Sequence, residues 1–167
     1  MLALMKTAQD HGKPLRLVET AVAVNDARKG EMTRKIIAAA GGSVEGKKIA
    51  VLGLTFKPET DDMRSAASLT IVPQLVRSGA LVHAYDPAGT HEAKRMLPPE
   101  VTHSPSARAA MTGADVVVLL TEWSEFKSID PVEMKELLAK PVMVDLRNQF
   151  DPVAMEVAGI VYTSIGR

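Results

Sequence analysis

The chain has 167 residues, 46% of them hydrophobic and 24% charged, with 20 acidic residues balancing 20 basic ones. That length and balance suit one compact domain with an appended segment, and they exclude a disordered tail, a coiled rod and a polycationic surface built for nucleic acid. No cysteine is present, which removes disulfides, thiolate metal sites and thiol nucleophiles together.

The N-terminal run Met1-Leu2-Ala3-Leu4-Met5-Lys6 shows no basic leader followed by an apolar stretch and a cleavage site. The longest apolar run, Val116 to Leu120, is far short of the ~18 residues of a membrane span. A soluble cytoplasmic protein without membrane partners is the expectation. From Leu2 to Ala40 the sequence is rich in Ala, Met, Lys, Arg and Glu, which lose little side-chain freedom in a helix. It predicts a short helix to Asp10, a turn at His11-Gly12-Lys13, and a long helix from Pro14, a residue suited to a first turn. Gly41-Gly42 ends that helix. Leu15, Val18, Val22, Met32 and Ile36 form one apolar stripe. At about 27 residues and 1.5 Å per residue the helix is longer than a small domain can cover. The expectation is therefore a homodimer through this helix, with packing on its own domain as the alternative. The division expected is a helical segment over 1–44 and a folded domain over 45–167.

From Lys47 onward short apolar, β-branched runs alternate with helical stretches. The predicted strands are Lys48–Gly53, Leu81–Tyr85, Asp115–Leu120, Val142–Asp145 and Ile160–Tyr162. The helices between them are Ser68–Ser78, His91–Met96, Ser106–Met111 and Pro131–Leu138. Buried apolar strands alternating with helices imply a Rossmann-like α/β domain, a parallel sheet with helices on both faces.

In such a sheet ligands collect beyond the carboxyl ends of the strands. The loop after the first strand reads Gly53-Leu54-Thr55-Phe56-Lys57-Pro58-Glu59-Thr60-Asp61-Asp62-Met63-Arg64-Ser65. Only Gly53 fits the glycine fingerprint for a whole dinucleotide. Phe56 offers a flat apolar face, Lys57 a compact cation and Arg64 a planar guanidinium for phosphate oxygens. A cap for the next helix, with Lys57 and Arg64 solvated nearby, accounts for these residues equally well. Arg147, after the fourth strand, is expected at the rim where Lys57 projects; a surface ion pair is its alternative role. Tyr85-Asp86-Pro87 reads as a turn, or else as an acid near a ribose. Trp123 reads as a packing residue beneath the crevice, with closing the crevice as its alternative role. His11, His83, His91 and His103 have no ligand spacing, so no metal is assigned.

Four ordered motifs, Val51 to Arg64, Tyr85-Asp86-Pro87, Leu120-Thr121-Glu122-Trp123 with Phe126, and Asp145-Leu146-Arg147-Asn148, resemble those of the UDP-glucose/GDP-mannose dehydrogenase family. The Thr-Glu-Trp and Phe-Lys-Pro forms look more like its UDP-glucose branch. The resemblance extends through the N-terminal helices, where Leu2 to Asp10 looks like the segment following the family's catalytic cysteine and Val24-Asn25-Asp26 lies in its long central helix. It implies oxidation of the C6 hydroxymethyl of UDP-glucose to a carboxylate, with NAD as acceptor and a cysteine holding the intermediate. The NAD domain and that cysteine have no counterpart here, so Met1 looks like a truncation start or an alternative gene boundary. The chain alone is expected to be inactive, with no catalytic residue of its own. By the same resemblance Phe56, Lys57 and Arg147 hold the UDP part of the substrate, and Arg64 reaches towards NAD. Three roles stay open: part of such an enzyme or of a relative acting on GDP-mannose or UDP-N-acetylmannosamine, a free-standing UDP-sugar-binding regulatory module, and a dimerisation domain with a vestigial cleft.

Overall fold

The computed structural model describes residues 2–166. Strands β1 (Lys48–Leu52), β2 (Leu81–Tyr85), β3 (Thr102–His103), β4 (Val116–Leu119), β5 (Val142–Asp145) and β6 (Val161–Ser164) form one sheet. Every pairing is parallel, and the order is β3-β2-β1-β4-β5-β6. Side chains alternate faces along a strand, and here both faces are buried. Ile49 and Val51 of β1 join Val116 and Val118 of β4 in one apolar layer. Ala50 and Leu52 join Val117 and Leu119 in the other. The sequence therefore reads as near-continuous apolar runs because no face of a central strand meets water.

Helices α1 (Leu2–Asp10), α2 (Arg16–Ala39), α3 (Ser68–Arg77) and α4 (Thr90–Met96) precede β3. Helices α5 (Ala107–Met111), α6 (Ser124–Lys127), α7 (Pro131–Leu137) and α8 (Pro152–Val157) follow it. Ile36 of α2 and Ile71, Val72 and Leu75 of α3 cover the first layer. Met111 of α5, Phe126 of α6, Met134 of α7 and Met155 of α8 cover the second. Ile36, with no solvent exposure, is the anchor of α2, and a side chain buried so fully contributes about 1.5–3 kcal/mol.

The long helix differs from expectation at its start. Leu15 has φ −98° and ψ 79°, outside helical space, so α2 begins at Arg16 and Pro14 precedes the helix. The first helical bond runs from the Glu19 N–H to the Leu15 carbonyl at 3.0 Å, and Gln9 Nε2 donates to Glu19 Oε1 at 2.9 Å, tying α1 to this first turn. The end is as expected: Gly41 and Gly42 have φ of +88° and +91°, conformations that favour glycine. At 24 residues α2 is about 36 Å long. The C-terminal part of its apolar stripe finds partners inside the chain, because Ile36 enters the core and Met32 packs against it, while Leu15 at its start stays exposed.

Three elements escape the sequence reading: β3, α6 and α8. The last predicted strand is also displaced, from Ile160–Tyr162 to Val161–Ser164.

Candidate functional site

The site begins where β1 ends. Gly53 has φ +84°, and a Cβ added there would lie 2.6 Å from Thr121 Cβ. Only a glycine lets the ends of β1 and β4 approach so closely. The Thr121 hydroxyl then donates to the Thr55 carbonyl at 2.7 Å, locking the two loops together.

Asp86, 2% exposed, fastens the next residues. Its Oδ2 accepts the Leu54 N–H at 2.6 Å, the Thr55 N–H at 3.1 Å, the Thr55 hydroxyl at 3.1 Å and the Trp123 indole N–H at 3.3 Å. Its Oδ1 accepts the Ala88 and Gly89 N–H groups at 3.0 and 2.6 Å. Of the two readings left open for Tyr85-Asp86-Pro87, the turn is the one observed, and the same carboxylate also staples the β1 loop. Trp123 is a packing residue, 6% exposed.

The loop over residues 53–67 that follows is open and polar. The Phe56 N–H donates to the Asp62 carbonyl at 2.8 Å, which leaves the Phe56 ring 54% exposed. Lys57 is exposed beside it. The Arg64 guanidinium donates through Nε and Nη2 to the two oxygens of Asp62, each at 2.9 Å. That pairing holds the Asp62 carboxyl down at about 2.

Beyond β5 the fully buried Asp145 does for Arg147 what Asp86 does for Phe56. Asp145 Oδ1 accepts the Arg147 N–H at 2.9 Å, and Oδ2 accepts the Gln149 and Phe150 N–H groups and the Tyr162 hydroxyl. The Arg147 side chain makes a two-pronged ion pair with Glu122, in which Nη2 lies 2.8 Å from Oε1 and Nε donates to Oε2. The hydrogen bond from Arg147 holds the Glu122 carboxyl below the usual glutamate range.

These loops surround a cleft of about 750 Å³, a volume that suits a nucleotide-sized ligand. Thr55 and Phe56 come from the β1 end, Leu120 from the β4 end, and Leu146 and Arg147 from the β5 end. Helix α2 forms the opposite wall with Val22, Asn25, Asp26, Arg28, Lys29 and Met32. Lys29 pairs with Asp26 at 3.3 Å and Arg147 with Glu122, so the three lining cations, Arg28, Lys29 and Arg147, face two carboxylates and keep a small positive excess. A crevice with that balance attracts anions. The structure thus brings Phe56 and Arg147 together. Lys57 and Arg64 stand outside the lining residues, so the expected meeting of Lys57 with Arg147 at one rim is not reproduced within the cleft itself.

The α2 wall was missed by the sequence reading. The signal was the gap in the apolar stripe between Val22 and Met32, where Asn25, Asp26 and Lys29 fall on the face that should be apolar. Among the described residues no group of three or more histidines and carboxylates has metal-binding geometry, and no helix is long and apolar enough to cross a membrane.

The strand order, with α3 after β1 and α6 and α7 after β4 covering opposite faces of the sheet, defines a doubly wound α/β domain of the nucleotide-binding class. Residues 50–152 match the model of the UDP-glucose/GDP-mannose dehydrogenase family, UDP binding domain, and the chain belongs to that family. It is 50% identical over 167 residues to a UDP-glucose 6-dehydrogenase of Rhizobium meliloti (strain 1021), covering 99% of this chain and 38% of that protein. It is 41% identical over 165 residues to the UDP-glucose 6-dehydrogenase TuaD of Bacillus subtilis (strain 168), covering 99% of this chain and 36% of that protein. Among solved structures, a UDP-glucose dehydrogenase from the archaeon Pyrobaculum islandicum superposes with TM-score 0.76 at 25% identity, over 97% of this chain and 35% of that one. The chain therefore spans well under half the length of the relatives it matches.

Proposed function

We propose that this chain supplies the UDP-sugar half-site of an NAD-dependent UDP-glucose 6-dehydrogenase. The observation that carries the reading is the sharing of one anion-attracting cleft by Phe56 and Arg147, which arrive from separate strand ends. Phe56 gives the uracil an apolar face, and Arg147 gives the diphosphate a planar donor edge. Lys57, one residue beyond Phe56, supplies a mobile cation that swings to the phosphates once they are bound. The names of the relatives favour glucose over other UDP sugars.

NAD is the acceptor this family membership implies, and the β1 loop does not fit it as a whole dinucleotide site. Gly53 stands alone where three glycines are needed, and α3 does not begin until Ser68, so no helix N-terminus follows the turn closely enough to receive a pyrophosphate. Arg64, exposed and paired with Asp62 in this loop, has a role towards NAD that is a contact from across a cleft. With no thiol in the chain, the covalent chemistry resides in other polypeptide, and the chain by itself is inactive. Fusing or co-expressing it with the remaining portion of the Rhizobium relative and following NADH absorbance tests this. UDP-glucose oxidation by the combination, lost on Lys57→Ala or Arg147→Ala, is the expected result; a combination that folds and stays inactive contradicts it.

Dimerisation through α2 is a separate part of the proposal. It rests on the face of α2 turned away from the domain, where Leu17 is 87% and Val24 59% exposed.

A further inference from the structure

Glu122 is a polar residue of the Thr121-Glu122-Trp123 segment with no role in the reading above, and its contact with Arg147 has a specific geometry. It meets the guanidinium along one side, through Nε and Nη2. A guanidinium carries five N–H groups in a fixed plane, so this contact leaves both N–H groups of Nη1 and the second one of Nη2. The second Nη2 N–H and one N–H of Nη1 point the same way and form the end-on edge, itself a bidentate donor for a phosphate, while the other Nη1 N–H lies on the Cδ side. Arg147 lines the cleft while Glu122 is not among its lining residues, so the pair leaves the cleft lined by the arginine and not by the carboxylate.

Both partners are carried by locked backbone. Glu122 sits between Thr121, 2% exposed, and Trp123, 6% exposed, and Thr121 is bonded to the β1 loop. Arg147 is held at its backbone nitrogen by the fully buried Asp145. A long arginine side chain in water samples many rotamers, and fixing it before a ligand arrives removes that ordering cost from binding.

We propose that Glu122 is the positioning residue for Arg147, holding its guanidinium side-on so that the end-on edge faces a nucleoside diphosphate in the cleft. The inference rests on the proposed UDP site. Its consequence is that Glu122, though negatively charged and close to an anion site, strengthens binding of the anion. A carboxylate that merely competed with phosphate for Arg147 would weaken it.

The test uses the full chain labelled with ¹⁵N at arginine, with Glu122→Gln and Arg147→Ala variants. The side-chain Nε–H resonance of Arg147, identified by its loss in Arg147→Ala, is expected to be displaced and slow to exchange in the unmodified chain and to return to the solvent-exposed position in Glu122→Gln. A half-exposed pair contributes little to folding at neutral pH, so the melting temperature of Glu122→Gln stays close to the original, and a merely structural role would move that temperature and leave UDP affinity unchanged. UDP affinity by calorimetry is expected to fall about tenfold in Glu122→Gln, the loss of one preorganised contact. If Arg147→Ala weakens UDP binding while Glu122→Gln leaves it unchanged or tighter, the positioning role is overturned and the UDP site stands. If the unmodified chain fails to bind UDP at millimolar concentration, or binds it as well after Arg147→Ala, the UDP site falls and this inference with it.

Discussion

Asp86 Oδ2 lies 2.6 Å from the backbone nitrogen of Leu54, so the loop that carries Phe56 is fastened to the end of β2, the neighbouring strand. A buried carboxylate is costly unless its lone pairs are filled, and here main-chain and indole N–H groups fill them. Asp86→Asn places an amide donor against those donors. The expected loss is about 2–4 kcal/mol in urea unfolding, with the Trp123 fluorescence shifted in the folded state. An unchanged midpoint would mean that the staple is dispensable.

Gly53→Ala puts a Cβ 2.6 Å from Thr121 Cβ at a φ of +84°. Left-handed strain and overpacking act together there, and the expected destabilisation is about 2–4 kcal/mol. Gly42→Ala shares the positive φ, +91°, but would meet nothing within 4 Å. It should cost only the strain, about 1 kcal/mol. Equal losses at the two positions would show that the β1–β4 approach does not matter.

The Glu122 carboxyl is depressed by its hydrogen bond from Arg147. A depressed carboxylate stabilises the fold above its unfolded pKa, and that contribution is lost as pH falls through the folded value. Stability of the unmodified chain should therefore drop slightly more than that of Glu122→Gln as pH falls below the ordinary glutamate range, by no more than about 1 kcal/mol for a half-exposed pair. A larger acid loss in Glu122→Gln than in the unmodified chain would contradict the pairing.

Dimerisation through α2 predicts a two-chain mass in light scattering at micromolar concentration. Leu17→Glu with Val24→Glu should return a folded monomer, because both side chains are exposed within one chain. A monomeric unmodified chain would end this part of the proposal.

Much of this architecture is readable in the amino acids, and what is not has physical reasons. Strands β1, β4 and β5 announce themselves because both of their faces are buried and almost every residue is apolar. The two-residue β3 does not, since Thr102 and His103 supply no apolar run and their strand character comes only from pairing with β2. Helix α8 did leave a signal, Asp151 as a cap followed by Pro152 at the first turn, but it is short and lies beside an apolar strand. At the site, motif and position lead to Phe56 and Arg147. The contribution of α2 depends on a tertiary crossing over the sheet, and no local pattern in Asn25, Arg28 or Lys29 states which loop they will face.

Calorimetric titration of UDP into the unmodified chain and into Phe56→Ala and Arg147→Ala decides whether the cleft holds the nucleotide. Saturable binding, weakened at least severalfold by either substitution, is what a diphosphate and base held at the β1 and β5 strand ends require. Binding that survives both substitutions intact would place the nucleotide elsewhere and contradict the account.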